Sequence, residues 1–460
     1  MSRRPRIIAL ALCTLAAPSL VALVTTASAE ASAPPSVIAV AELGVGAGDA
    51  NAINEYPLAA SGNLPPIARI AGPHTLLGTS DFASVSPSGV AHDPQGDLFV
   101  SIVPNSFMTS GLILEFASDA NGDVAPIRVI GGPNTRLGSP RHLAVDPSGV
   151  IYVVDAQSNA VLEFAAGATG DVAPATIISG PNTHLVDPFS IVLDPAGNVY
   201  VSNEGNLTTG PAPDFTTTVT DASIVEYAAG ARGDASPIRR LAGPLTGFNE
   251  PGSGLGMLAR DAFGDLDVTT LDRRTIEQFG PAANGDVAPI ATIGGANTRL
   301  TGPIGIAVDS DREIVVDNQD VGSSMEVFSP GASGNDSPIR SIAGSNSELG
   351  LVMGVDVIDA AATRLIAAPT SKRRQVFSAT LTRADASQAP AAGRVLVFST
   401  KAPLAGRQDV VCRATTNAAG TASCVGVIPG ADKLWDGSYT VTYSGDVDYL
   451  AAGATGRLTP

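Results

Sequence analysis

The sequence predicts an all-β chain: six four-stranded repeats closed into a ring, followed by a small β-sandwich. Three observations predict it. A strand–turn–strand phrase with Asp at its turn recurs along most of the chain. Apolar segments are short and bounded by Gly and Pro. After residue 369 the phrase stops, while short alternating strands continue.

The composition permits this. The chain has 460 residues, 44% of them hydrophobic and 15% charged, which is enough apolar material to bury a core. Its 49 Gly and 34 Pro suit many short strands joined by turns.

Residues 1–29 read as a secretory signal peptide. Arg3, Arg4 and Arg6 form a positive start, an apolar run follows, and Ala27-Ser28-Ala29 is a small-residue cleavage site. An uncleaved anchor is the alternative reading. Residues 30–52 are expected to be a lead-in. No other apolar run reaches the length needed to span a bilayer, so the mature chain is expected to be secreted. Cleavage would remove three arginines and no acid, taking the net charge from −17 to −20. Such a chain repels phosphate backbones and anionic lipid, which excludes nucleic acid and membrane surfaces as expected partners.

Three signatures recur in fixed order. The first is an apolar strand ending at an Asp turn: "GVAHDPQG" (Gly89–Gly96), "HLAVDPSG" (His142–Gly149), "SIVLDPAG" (Ser190–Gly197), "MLARDAFG" (Met257–Gly264), "GIAVDSDR" (Gly305–Arg312) and a degraded "DVIDAAA" (Asp356–Ala362). In Asp-Pro-x-Gly, Pro presets φ, Asp caps its own backbone and Gly tolerates φ > 0. A second strand follows each turn, the last being "RLIAA". The second signature is Glu shortly before an aromatic, as at Glu115-Phe116 and Glu226-Tyr227. Because it occurs in every copy, it reads as architecture rather than catalysis. The third is a strand that begins after Pro and ends at Gly. Its prolines (Pro66, Pro126, Pro174, Pro237, Pro289, Pro338) are 60, 48, 63, 52 and 49 residues apart. Four short strands in about 50 residues is the rhythm of a β-propeller blade.

The phase of the repeats predicts how the ring closes. The chain opens with a third-and-fourth-strand half (Ile53–Gly72) and closes with a first-and-second-strand half (Val355–Ala368). Pairing these halves gives six blades over residues 53–368 and leaves no free edge. Residues 369–375 then read as a linker. Residues 376–460 read as the β-sandwich, with Cys412 and Cys424 expected to form a cross-hairpin disulfide.

These residues resemble known families. "PIGIAVD" (Pro303–Asp309) and "GVIYVVD" (Gly149–Asp155) are similar to the NHL repeat of six-bladed β-propellers. The tail "GSYTVTYSGDVDYLAA" (Gly437–Ala452) resembles the end of a bacterial immunoglobulin-like (Ig-like) domain. The fold class expected is therefore an all-β six-bladed β-propeller followed by a small Ig-like β-sandwich.

For function, the longest insertions (residues 104–111, 204–222 and 244–254) all fall in second-to-third or fourth-to-first-strand connections, on one face of the ring. That face is the expected binding site, and neutral insertion is the bland alternative. Arg141, His142 and Arg260 lie at first-strand positions, and Phe215 and Phe248 lie in the insertions. These five are the candidate ligand-binding residues. His74, His142 and His184 are the candidate zinc ligands, set against solvated loop histidines, and His92 reads as packed. "DANGD" (Asp119–Asp123) has the opening of a calcium loop, although the other copies favour a simple turn. No catalytic residue and no cofactor is expected, with calcium or zinc as the alternative. The expected function is non-enzymatic recognition of an extracellular ligand (glycan, peptide or protein). The alternative is a metal-dependent lyase or lactonase-like enzyme at the channel mouth, as the propeller resemblance implies.

Overall fold

The computed structural model describes residues 36–44, 50–79, 85–93, 95–104, 110–209, 217–249, 254–271, 273–319, 323–358, 363–371, 376–383, 390–391, 393–401, 408–426, 438–443 and 452–459. The expected leader (1–29) and Phe215 lie outside these residues. The described structure is all-β, and its only helices are two 3-10 turns, Pro133–Thr135 and Pro244–Thr246.

Six four-stranded antiparallel sheets account for the repeats. The first is Ser86–His92, Leu98–Val103, Leu112–Phe116 and Arg128–Gly131. The second is Pro140–Val145, Ile151–Asp155, Ala160–Phe164 and Thr176–Ile178. The third is Pro188–Leu193, Val199–Asn203, Ser223–Tyr227 and Arg239–Leu241. The fourth is Leu255–Arg260, Leu266–Thr270, Thr275–Phe279 and Ala291–Gly294. The fifth is Pro303–Val308, Ile314–Asn318, Ser324–Phe328 and Arg340–Ala343. The closing sheet runs Leu351–Ile358, Val37–Leu43, Ala52–Pro57 and Ala68–Ala71. Each first strand lies against the first strands of the sheets before and after it, and Leu351–Ile358 lies against Ser86–His92. The order is therefore cyclic.

Closure differs from the expected two-plus-two pairing. One strand comes from the C-terminal side and three from the N-terminal side. Val37–Leu43, in the segment read as a lead-in, takes the second-strand position between Leu351–Ile358 and Ala52–Pro57. Thr363–Ala367, read as that second strand, pairs instead with Val376–Arg383. The reason is burial. Val37 to Glu42 are all buried, so the slot wants a strand that is apolar on both faces. "VIAVA" meets that requirement, whereas "TRLIA" would bring Arg364 into the slot.

The repeated residues have repeated jobs. The turn aspartates accept from their own turn: Asp146 Oδ1 takes the Ser148 and Val150 amides at 2.8 and 2.9 Å, and Asp194 Oδ1 takes those of Ala196 and Asn198 at 2.9 and 2.8 Å. The aromatic after each Glu (Tyr56, Phe116, Phe164, Tyr227, Phe279, Phe328) is completely buried, each stabilising by about 1.5–3 kcal/mol. The Glu carboxylates are mostly tied within their sheets, Glu115 to Arg128, Glu226 to Arg239, and Glu326 to Ser324 and Ser341.

Adjacent sheets are clipped together at the outer rim. Asp123 Oδ1 accepts from His74 N at 2.8 Å, Asp171 from Asn134 N at 2.7 Å, Asp234 from Asn182 N at 2.7 Å and Asp286 from Leu245 N at 2.7 Å. Asn335 and Asn63 do the same for Asn297 and Asn346, so the clip also spans the closure. Gly72 is required here. Its φ is +130°, and a Cβ would meet the Asp123 carboxyl at 2.5 Å. The calcium-like "DANGD" is thus a clip, with Asn121 Oδ1 also accepting from Arg69 N.

The C-terminal strands form two further sheets that share one apolar core. One contains Thr363–Ala367, Val376–Arg383 and Thr421–Val425. The other contains Thr370–Ser371, Ala452–Thr459, Ser438–Tyr443, Val395–Lys401 and Gln408–Thr415. Phe377 and Tyr439 meet edge-on at 5.1 Å within that core. Cys412 and Cys424 are disulfide-bonded. Their strands belong to different sheets, so the bond joins the two sheets instead of forming a rung across a hairpin.

Candidate functional site

Against so regular a repeat, departures are informative. Three positions before the turn Asp, the sheets carry Val90, Leu143, Ile191, Leu258 and Ile306, but the closing sheet carries Asp356. One position before it they carry Val145, Leu193, Val308 and Ile358, but the first and fourth sheets carry His92 and Arg260. Four positions before it, among Gly, Ser, Met and Val, the second sheet carries His142. All four of these exceptions line one cavity of about 430 Å³.

The cavity lies inside the ring, at the end where first strands turn into second strands. Its wall includes Leu143–Pro147, Ile191–Gly197 and Leu258–Arg260, with Gly393, Arg394, Val395 and Tyr443 from the C-terminal strands. Most of this wall is apolar, with a few polar groups placed in it, as in small-molecule sites.

The electrostatics are uneven. His92 Nδ1 lies 2.5 Å from Asp356 Oδ2. Burial pushes the His92 imidazole down, but the Asp356 charge and hydrogen bond more than offset this, and its pKa is raised. Burial pushes Asp356 up, but the charge and hydrogen bond of His92, with help from His142, leave it lowered. His142 goes the other way. Its burial outweighs the Asp356 charge, and its pKa is lowered. Its Nδ1 lies 3.2 Å from the Ile191 carbonyl and 3.3 Å from Ser190 Oγ, both on the next sheet. The site therefore holds an ion pair beside an imidazole kept neutral. Arg260 stacks on the Tyr200 ring at 5.9 Å, and its buried Nε has no hydrogen-bond partner among the described residues.

The residues expected from sequence are divided by the structure. His142 and Arg260 are in the cavity wall, whereas Arg141 is not and stacks on Phe189 at 5.5 Å. Phe248 is completely buried, edge-on to Phe279 at 5.3 Å, so it is a core residue and not a loop contact. It occupies the place of Leu137 and Leu185 in "GPNTRL" and "GPNTHL". Its amide donates to Thr246 Oγ1 as the Leu137 amide donates to Thr135 Oγ1, both at 3.3 Å. His74 is exposed and bonded to Asp123 at 2.7 Å, and His184 is exposed in a left-handed loop position with φ 58°. With His142 buried, the three candidate zinc ligands do not converge. Among the described residues no group of three His, Cys, Asp or Glu is arranged for a metal. Of the expected loop-rich face, residues 105–109, 210–216 and 250–253 lie outside the described residues, while Asn206–Thr209 and Thr217–Thr220 pair as a hairpin. Sequence reading missed Asp356 and Arg394. For Asp356 the signal was present, as a lone acid inside an aligned apolar strand.

No family model and no curated protein matches the chain. Solved structures do. A protein of unknown function from Bacteroides caccae is 11% identical, covering 70% of this chain and 98% of its own, with a TM-score of 0.44. A protein from Lactobacillus plantarum is 11% identical, covering 85% and 99%, with a TM-score of 0.41. Virginiamycin B lyase from Staphylococcus aureus is 12% identical, covering 77% and 98%, with a TM-score of 0.33. Likeness at this level transfers no residue role.

Proposed function

We propose that the chain is an exported binding protein, built as a six-bladed β-propeller with an Ig-like module, that takes a small polar ligand in the ring cavity. The fold reading is supported by six four-stranded sheets whose first strands touch in cyclic order. The observation that carries the function is the gathering of the repeat's polar exceptions, His92, His142, Arg260 and Asp356, in one cavity of about 430 Å³. A fold needs the repeated residues. It does not need a carboxylate where five sheets have an aliphatic side chain, and burying one costs free energy.

A second reading is favoured by one observation. His92 and His142 have pKa values displaced in opposite directions beside one carboxylate. That is the arrangement of a general acid and a general base, so acid–base chemistry on the bound ligand is the alternative function.

A thermal-shift screen of soluble sugars, amino acids and organic acids tests the proposal. Ala144 is half-buried in the cavity wall. Ala144→Trp should abolish the response to any stabilising compound, while trimming residues 205–221 should leave it. The opposite pattern would move the site to the loop-rich face. Turnover of the bound compound, lost in His142→Gln, would select the second reading.

A further inference from the structure

The ring does not build the cavity alone, because part of the wall comes from the C-terminal strands. Arg394 stands on a fixed loop. Its amide donates to Thr416 Oγ1 at 2.8 Å, the Thr416 amide donates to the Arg394 carbonyl at 2.8 Å, and Thr416 Oγ1 donates to the Ala391 carbonyl at 2.7 Å. Its side chain is 95% withdrawn from solvent, at 5% exposure, in the same cavity as Arg260.

Most of the carboxylate oxygens of this wall are already engaged. Asp146 Oδ1 takes two amides and the Ser148 hydroxyl. Asp194 takes two amides and the Asn198 side chain. Asp356 is paired with His92. The capacity left for a ligand is therefore chiefly in donors, above all the Arg260 guanidinium, whose buried Nε has no partner among the described residues. A guanidinium is best matched by a planar or tetrahedral oxyanion, which accepts two parallel N–H bonds.

We infer that the cavity is an oxyanion site shared by the ring and the C-terminal module, in which Arg260 and Arg394 together hold the carboxylate or phosphate of a small ligand. The inference rests on the cavity being the binding site. It adds the ligand's charge and makes the module a wall of the site.

Calorimetric titration of the full mature chain with citrate and with inorganic phosphate, at pH 7 and low salt, tests it. At least one anion should bind saturably. Arg260→Gln and Arg394→Gln should each weaken it by about tenfold or more, the scale of a lost charge-assisted hydrogen bond. Arg136→Gln, an exposed loop change, controls for net charge and should bind as the parent does. If Arg394→Gln destabilises the fold, Arg394→Lys keeps the charge without the fork and should also bind more weakly. Unchanged affinity in Arg394→Gln with loss in Arg260→Gln would overturn the shared site and leave the cavity reading standing. No saturable binding of either anion would overturn the oxyanion assignment. A response to neutral compounds blocked by Ala144→Trp would then still support the cavity.

Discussion

His92 and Asp356, 264 residues apart in sequence, form an ion pair across the seam where the closing sheet meets the first sheet. The His92 side chain is buried and that of Asp356 is 24% exposed, and His142 on the second sheet feels the same carboxylate. The pair therefore joins the closure of the ring to the electrostatics of its cavity.

The imidazoles should titrate apart. His92 should have its midpoint above 6.5 and His142 below it, measured by NMR of the ring nitrogens. In Asp356→Asn the His92 midpoint should fall, because the burial penalty is then opposed only by the Asp93 charge. The stability sign follows from linkage. The raised His92 contributes stability that is complete below 6.5 and lost as pH rises through its folded midpoint. The lowered Asp356 contributes stability present above 3.8 and lost as pH falls through its folded midpoint. Asp356→Asn should therefore cost most between those limits, read as the difference in Tm across a pH series.

Four other carboxyls oppose the fold at neutral pH. Burial pushes Glu55, Glu204, Asp267 and Asp317 up to about 7. Near pH 3 both folded and unfolded states keep these protons. Between about 4 and 7 the unfolded chain loses them while the folded chain keeps them, so stability falls as pH rises, and above 7 the penalty stays constant. Asp317 is the clearest case. Its Oδ1 accepts from Gly305 N at 2.8 Å, and its buried Oδ2 has no partner among the described residues. At the same strand position Ser202 and Thr269 donate a hydroxyl to a carbonyl of the next sheet, Gly256 at 3.2 Å and Ile304 at 2.6 Å. Asp317→Ser should raise Tm at pH 8 by roughly 2 °C or more, and by less at pH 5. A gain equal at both pH values would show that the carboxyl is ionised in the fold throughout.

The strand Val37–Leu43 should be indispensable. Val37, Ile38 and Val40 are completely buried in the closing sheet. At about 1.5–3 kcal/mol for each large apolar side chain, their loss approaches a typical total stability of about 5–15 kcal/mol. A chain starting at residue 45 should lose the ring's cooperative transition by circular dichroism, whereas one starting at residue 30 should keep it.

The disulfide should act on the C-terminal sheets alone. Cys412→Ala with Cys424→Ala should cost about 2–3 kcal/mol for so short a loop. Denaturant unfolding should show this as an earlier transition of the C-terminal strands, with the ring transition unmoved.

Much of the ring was legible because each turn and clip is written in local chemistry, such as Asp146 with Ser148 or Gly72 with Asp123. The identity of the closing strand was not. "VIAVAEL" reads as part of a lead-in and "TRLIA" as the second strand, and only the two-sided burial of the slot reverses them. Phe248 was misread because its loop was judged by length, although its alignment with Leu137 marks it as core. His142 and Arg260 were legible as first-strand exceptions. Asp356 was hidden by the worn last repeat, and Arg394 by distance, since nothing in sequence places residue 394 beside residue 260.

The four histidines allow the most direct test, since His92 and His142 line the cavity while His74 and His184 lie in exposed fourth-to-first-strand loops. Imidazole NMR at pH 7 during titration with citrate and, separately, with inorganic phosphate should, for at least one anion, move the signals of His92 and His142 and leave His74 and His184 in place. Movement of His74 and His184 with the cavity pair still, or no movement of any of the four with either anion, would contradict the account.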